Sequence, residues 1–284
     1  MRTPVALRAE IDLEAVRHNV RALPAAPDDE LMGVVKADAY GHGAVPVARV
    51  LEAEGVKRLA VATVPEAVEL RDAGIESRIL VLAGPLPEFL PVYAEHGLEA
   101  VVSSSTVAEA VAEYRIPVHV KVDTGMHRLG VQPEQAPSTI KRLLEAGVPV
   151  EAVWTHLATA DAEDSSFVLE QVQQFDAAIA DLEDGILVHV ANGPAHVRLP
   201  RVTSRPALVR LGGVLYGLGS DDAMAPSMTH LRPAMRLVAR VVNILIVQAG
   251  ETVSYGRTWT APRPTRIATL GIGYADGLPR SLSN

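Results

Sequence analysis

The chain has 284 residues, 48% of them hydrophobic, with 26 Lys plus Arg against 34 Asp plus Glu, a formal charge of −8. That apolar content suffices for a large core, while the acidic balance argues against an electrostatic grip on nucleic acid or on an anionic membrane. A small-molecule partner is favoured instead, and the absence of cysteine excludes disulfides and thiolate metal sites and is compatible with a reducing compartment.

In chain order, the start MRTPVALRAEIDL has charges where a signal peptide needs an unbroken apolar stretch, and no run of about 18 apolar residues follows, so a cytoplasmic location is expected. DLEAVRHNVRAL then reads as a helix. Eight short apolar runs come next: LMGVV (31–35), RLAVAT (58–63), RILVLA (78–83), EAVVSS (99–104), VHVKVD (118–123), EAVWTHL (151–157), LVHVANG (187–193) and ALVRLGG (207–213). Most are continuously apolar, as strands covered on both faces require. Between them VPEAVELRDAG, STVAEAVAEYR and SFVLEQVQQFDAAIADLEDG have helical spacing, several closed by glycine. Thr63 and Glu66, around Pro65, resemble a capping box. The alternation predicts an α/β fold, a closed (β/α)8 TIM barrel, over residues 1–225. After about residue 220, RPAMRLVARVVNILIVQAGETVSYG and TRIATLGIGYADG read as strands and turns. A second, all-β domain is therefore expected over 226–284, short and incomplete, breaking off at Asn284 with sheet edges unpaired.

In such a barrel the chemistry sits at the C-terminal ends of the strands. Lys36 ends the first run; Lys121, Asp123 and Arg128 lie at or after the fifth, His156 ends the sixth, Asn192 the seventh, and Arg210 lies near the end of the eighth. Only four of the 26 cations are lysine, Lys36, Lys57, Lys121 and Lys141. An arginine cannot lose its proton in a protein, whereas a desolvated lysine can become a nucleophilic amine, so Lys36 is a candidate for chemistry. The competing reading is a strand-end lysine whose stem covers apolar surface. The pairs Asn192-Gly193 and Gly212-Gly213 stand in the loops where this architecture binds phosphate, although tight turns use the same residues. An imine-forming lysine beside a phosphate cradle suggests pyridoxal 5'-phosphate. No clustered metal ligands accompany His156 and Asp161, so no metal is expected.

VVKADAYGHG resembles the cofactor-lysine motif of alanine racemases, the fold-type-III pyridoxal phosphate enzymes, and AEIDLEAVRHNV, KVDTGMHRLG, WTHLATAD, VRLGGVLYGL and GIGYADG resemble further motifs of that family, in family order. The resemblance implies racemisation of alanine by two bases, supplying D-alanine for peptidoglycan. It makes Lys36 the cofactor lysine and one acid/base, with Tyr274 as the second, acting in trans in a homodimer. It assigns Tyr40 to the phosphate, Arg210 to the pyridine nitrogen, His156 to the network around the tyrosine base, and Arg128 to the substrate carboxylate. It also makes Lys121 a possible carbamate, against the simpler alternative of a Lys121–Asp123 surface pair. Gly193 stands where the family usually has a serine, and Asp38 where it commonly has asparagine. A related racemase or decarboxylase for a larger amino acid, or a non-catalytic pyridoxal phosphate carrier, are the alternatives; the presence of Tyr274 speaks against the carrier.

Overall fold

The structure, a computed structural model, describes residues 6–199, 202–203, 205–219 and 224–282; Asn284, where the β domain is expected to break off, lies outside them. The elements are β1 (Leu7–Ile11), α1 (Leu13–Ala22), β2 (Glu30–Val34), α2 (Lys36–Gly41), α3 (Ala44–Ala53), β3 (Arg58–Val61), α4 (Val64–Asp72), β4 (Arg78–Val81), α5 (Leu90–Glu95), β5 (Leu98–Val102) and α6 (Ser105–Tyr114). There follow β6 (Val118–Lys121), α7 (Ala136–Glu145), β7 (Val150–Trp154), α8 (Ser166–Ala178), β8 (Leu187–His189), α9 (Gly193–Arg198), β9 (Leu208–Leu211), β10 (Met235–Ala239), β11 (Val241–Val247), β12 (Thr252–Val253), β13 (Trp259–Thr260) and β14 (Thr265–Leu270).

Strands β2 to β9 form one parallel eight-stranded sheet in the order β8-β7-β6-β5-β4-β3-β2-β9. Parallel bridges from Val188 to Ala207 and from Asn192 to Arg210 bring β8 and β9 together and close the TIM barrel. The eight apolar runs coincide with these strands, each strand ending one to four residues earlier than its run. The surplus residues leave the sheet to build the loops of the barrel mouth, and among them are Asp123, His156, Asn192, Gly193, Gly212 and Gly213. Period-two alternation sends Met32, Val34, Ala60, Leu80, Val101, Ala152, Trp154 and Leu208 into the barrel interior. The opposite faces pack under the helices.

Two helical expectations need correction. The spacing predicts a helix from Ser166 to about residue 185, but α8 ends at Ala178, because Ile179 and Leu182 turn inward to buried positions. After β9 a 3-10 turn, Gly213–Tyr216, replaces the eighth α-helix. Helix α1 packs against that turn: the Asn19 amide donates to the carbonyls of Leu215 at 2.9 Å and Arg232 at 2.8 Å. Asp12 caps α1, accepting from the Glu14 and Ala15 N–H groups.

Strand β1 pairs antiparallel with β10, Leu7 opposite Ala239 and Ile11 opposite Met235. The compact units are therefore Asp12–Ala234, the barrel, and a second one made of β1 and the chain from Met235. In the second, β11 pairs with β14 and β12 with β13, all antiparallel. No helix among the described residues is long and apolar enough to cross a membrane.

Candidate active site

At the C-terminal end of the barrel strands lies a cavity of about 430 Å³. Lys36, Tyr40, Lys121, Arg128, His156, Asn192, Gly193, Arg210, Gly212 and Gly213 all line it, with Val34, Leu82 and Trp154 among its apolar walls. Ten of the residues singled out from the sequence thus meet in one place. The eleventh, Tyr274, belongs to the other unit, where it opens a 3-10 turn and is 68% exposed.

Lys36 follows β2 and begins α2, whose backbone is unusual. Ala37, Asp38, Ala39 and Tyr40 have φ of 52°, 52°, 53° and 56°, four successive left-handed residues, none of them glycine. Each costs about 1–2 kcal/mol against a right-handed turn. Side chains from three directions compensate. Glu66 accepts from the Ala37 N–H at 2.7 Å, Asp38 accepts from the Ala44 N–H at 2.6 Å, and the His42 ring, through Nδ1–H, donates to the carbonyls of Ala39 at 2.9 Å and Tyr40 at 3.0 Å. Glu66 also accepts from Thr63 N–H, so the residue expected to cap α4 ties that helix to the lysine turn. The reversal lays the Tyr40 ring 5.3 Å from that of Tyr216 and places its hydroxyl against Gly212, where a Cβ would stand 2.6 Å from it. The Lys36 ammonium lies 6.0 Å from the Tyr40 ring centre.

Arg210, on β9, is buried and has no ion pair among the described residues. Its Nη1 donates to the His189 carbonyl at 2.9 Å and to His189 Nδ1 at 3.1 Å; its Nη2 donates to the carbonyls of Thr155 and Val190, both at 3.1 Å, and to His156 Nδ1 at 3.3 Å. Nε–H alone has no protein acceptor among the described residues. Burial pushes the guanidinium down to about 9, so it remains a cation at neutral pH. His156 is held neutral: burial first, then the charges of Arg210, Arg128, Lys121 and Lys36, push it down to about 3. Because Nδ1 accepts from an arginine, the His156 proton sits on Nε2.

Lys121 is 1% exposed, its Nζ donating to the Leu129 carbonyl at 2.6 Å and lying 5.2 Å from the Trp154 ring centre. Burial lowers it to about 8, helped by Arg210 and Arg128 and opposed by Asp123. Asp123 is committed elsewhere, accepting from the His127 N–H at 2.9 Å, the Gly125 N–H at 3.2 Å and the His127 ring at 3.1 Å. The surface pair is therefore not what the structure contains. Asn192 caps α9, accepting from Ala195 N–H at 3.1 Å, and donates to the Leu157 carbonyl at 3.2 Å, so its side chain shapes the Gly193 loop. At Gly193 a Cβ would stand 2.8 Å from Val214 Cγ2, so glycine is required by the valine beside it.

Trp154 escaped the sequence reading, as did His189. The Trp154 ring is the shared floor of Lys121 and Arg210, whose guanidinium carbon lies 5.0 Å from the ring centre, and it stacks on His189 at 5.0 Å and 7°. The usable signal was the alternation in AVWTH and LVHV, which points every second residue into the barrel.

A parallel barrel whose mouth collects two lysines, two arginines and a glycine cradle, followed in the chain by a small antiparallel unit, is the architecture of the fold-type-III enzymes. The chain belongs to the alanine racemase family: residues 11–220 match the profile of its N-terminal domain and residues 234–284 that of its C-terminal domain. An alanine racemase of Nostoc sp. is 41% identical over 292 residues, covering 97% of this chain and 75% of the relative. The crystal structure of alanine racemase from E. faecalis superposes with a TM-score of 0.88 at 33% identity, over 98% of this chain and 77% of that one. The alanine racemase of Bartonella henselae, described with covalently bound pyridoxal phosphate, gives 0.86 at 30% identity, over 99% of this chain and 79% of that one.

Proposed function

We propose that this chain interconverts L- and D-alanine in the barrel mouth with pyridoxal 5'-phosphate as its cofactor. The observation that carries the reading is the combination, in one cavity, of the Lys36 amine, a buried Arg210 whose only donor without an acceptor among the described residues is Nε–H, and Gly193, Gly212 and Gly213 along the wall, Gly212 directly against the Tyr40 hydroxyl. These fit a flat phosphorylated aldehyde: Lys36 for the carbonyl carbon, Arg210 for the ring nitrogen, and Tyr40 with the backbone at Gly193, Gly212 and Gly213 for the phosphate. Bound there, the cofactor would supply the electron sink that acidifies the alanine Cα–H.

Arg210 would donate a hydrogen bond to the ring nitrogen but could give it no proton, so the electron sink supplied there would be a weak one, which suits prompt return of the proton to Cα. Lys36 serves one face of Cα. Tyr274 serves the other, contributed across a homodimer, and His156 offers it the Nε2–H left free by its bond to Arg210. Arg128, exposed at the rim, takes the substrate carboxylate. An acidic, cysteine-free chain suits cytoplasmic work, and the D-alanine formed would feed peptidoglycan synthesis.

Pure L- or D-alanine incubated with the pyridoxal phosphate-loaded protein in D2O should each give the racemate with deuterium at Cα; retained optical rotation with cofactor bound overturns the reading. Borohydride reduction should fix the cofactor on the peptide carrying Lys36, and label on Lys121 or Lys57 would reject that assignment. Mixing a Lys36→Ala chain with a Tyr274→Phe chain should recover part of the activity through dimers with one intact site. No recovery in a verified mixed dimer would exclude the trans arrangement.

A further inference from the structure

Arg210 is a buried cation without a carboxylate beside it, yet a buried carboxylate does terminate its hydrogen-bond chain. His189 Nδ1 takes a donor from Arg210 Nη1 at 3.1 Å; His189 Nε2 lies 2.9 Å from His119 Nδ1; His119 Nε2 lies 2.8 Å from Glu99 Oε2. All four side chains are buried. They come from β9, β8, β6 and β5 and run through the barrel interior from the mouth to the N-terminal end, where Glu99 is the second residue of its strand.

The direction of every bond is fixed by its two ends. A guanidinium can only donate, so His189 Nδ1 carries a lone pair and the His189 proton is on Nε2. That proton points at His119 Nδ1, which leaves the His119 proton on Nε2, given to the Glu99 carboxylate. The reverse chain would need an arginine that accepts. Both imidazoles are therefore neutral and each has one permitted tautomer. Charging His189 would set a second cation against Arg210, and burial with the Arg210 charge keeps its pKa well below the ordinary range. Glu99 is faced also by Arg58, at 3.2 Å, and Arg78; beyond them stand Glu30, 3.2 Å from Arg58, and Glu151, 2.7 Å from Arg78.

We infer that Glu99 is the counter-charge of Arg210 across the barrel, transmitted by His119 and His189, and that these three are positioning residues that present the Arg210 Nε–H to the cofactor ring. A barrel interior is ordinarily filled by branched apolar side chains, which avoid the desolvation cost of two imidazoles and a carboxylate. Here successive links polarise one another toward Glu99, so the lone pair offered to Arg210 is a stronger acceptor than an isolated imidazole's. The inference rests on the proposed placement of the cofactor against Arg210.

Two measurements test it on the full chain. In 15N-histidine-labelled protein at neutral pH, before any cofactor is added, His119 and His189 should both show the neutral Nε2–H pattern; an Nδ1–H tautomer or a charged ring at either overturns the chain. In the pyridoxal phosphate-loaded protein, His119→Phe keeps an aromatic ring and cuts the link. The pH midpoint of the bound cofactor's absorption should fall, because the cavity loses negative potential, and kcat should drop about tenfold with little change in KM. His119→Gln, which can still accept from His189 and donate to Glu99, should restore both. A folded His119→Phe protein with an unaltered absorption titration and unaltered kcat would show that the chain is only packing and sink the inference. If instead the wild-type protein takes up no pyridoxal phosphate, the cofactor reading fails, while the 15N pattern still decides the hydrogen-bond chain.

Discussion

Lys121 shows how far a residue's chemistry depends on what surrounds it. The sequence exposes its oddity, a lysine among 22 arginines, but not its burial, since the alternation of VHVKVD is equally that of a half-exposed strand. In the fold the amine has one carbonyl partner and an indole floor, and with a pKa of about 8 roughly a tenth of it is uncharged at pH 7 and about half at pH 8. Only the uncharged amine adds CO2, forming N–CO2⁻ and releasing a proton. With 13C-bicarbonate, one carbamate carbon should appear in the NMR spectrum, grow between pH 7 and 8, and vanish in Lys121→Arg. A spectrum without it at pH 8 would leave Lys121 as a plain buried amine. His189 and His119 were harder to read, because alternation in LVHV and VHVK assigns each histidine to one face of its strand, but which face the barrel encloses is set only when it closes.

At the level of elements, the strand ends were legible because the runs change from apolar to polar where chemistry begins. The left-handed turn of α2 was not: Ala37 and Ala39 have no left-handed preference, and the conformation is held by Glu66 and His42 from outside it and by the Asp38 side chain within it. The 3-10 turn after β9 illustrates a departure that the structure explains. Gly193, in place of the family's usual serine, faces Val214, which is 1% exposed and leaves no room for a Cβ. Gly193→Ser alone should therefore destabilise the barrel by about 1–3 kcal/mol through overpacking and loosen cofactor binding. Combined with Val214→Ala, the serine gains its space, and the double variant should be at least about 1 kcal/mol more stable than the two single effects added together. Thermal melts and a pyridoxal phosphate titration of the four proteins check this; strict additivity would mean that the two positions do not meet.

For the molecule as a whole, the eightfold alternation announced the barrel, while the pairing of β1 with β10 could not be read locally, since its five-residue partners lie at opposite ends of the chain. Three ionisable groups of that barrel, Glu99, His156 and Lys121, also share a thermodynamic direction. Burial opposes the charge on Glu99, but the His119 hydrogen bond and the Arg58 and Arg78 charges hold it at about 2, against 4.5 unfolded. Between those values the unfolded chain binds the extra proton, so the stabilisation is complete above 4.5 and is lost as pH falls toward 2. His156, near 3 when folded and 6.5 when unfolded, loses stability over the adjoining window as pH falls from 6.5. Lys121, near 8 against 10.5, extends the same slope upward, since its charge is a burden to the folded state that is relieved as pH rises from 8 to 10.5. The phenols of the half-buried Tyr40 and of the buried Tyr93 and Tyr216, all raised by desolvation, act oppositely above about 10, where the unfolded chain ionises ahead of the fold. Stability should therefore climb from acid through neutrality to a maximum between about pH 8 and 10, well above the sequence pI of 5.6. Urea unfolding midpoints of the cofactor-free protein at unit pH intervals measure the curve. Lys121→Met should flatten its rise above pH 8 and His156→Gln its rise between 3 and 6.5. A midpoint that peaks near pH 6 and declines toward 9 would show that these buried groups do not set the stability of the barrel.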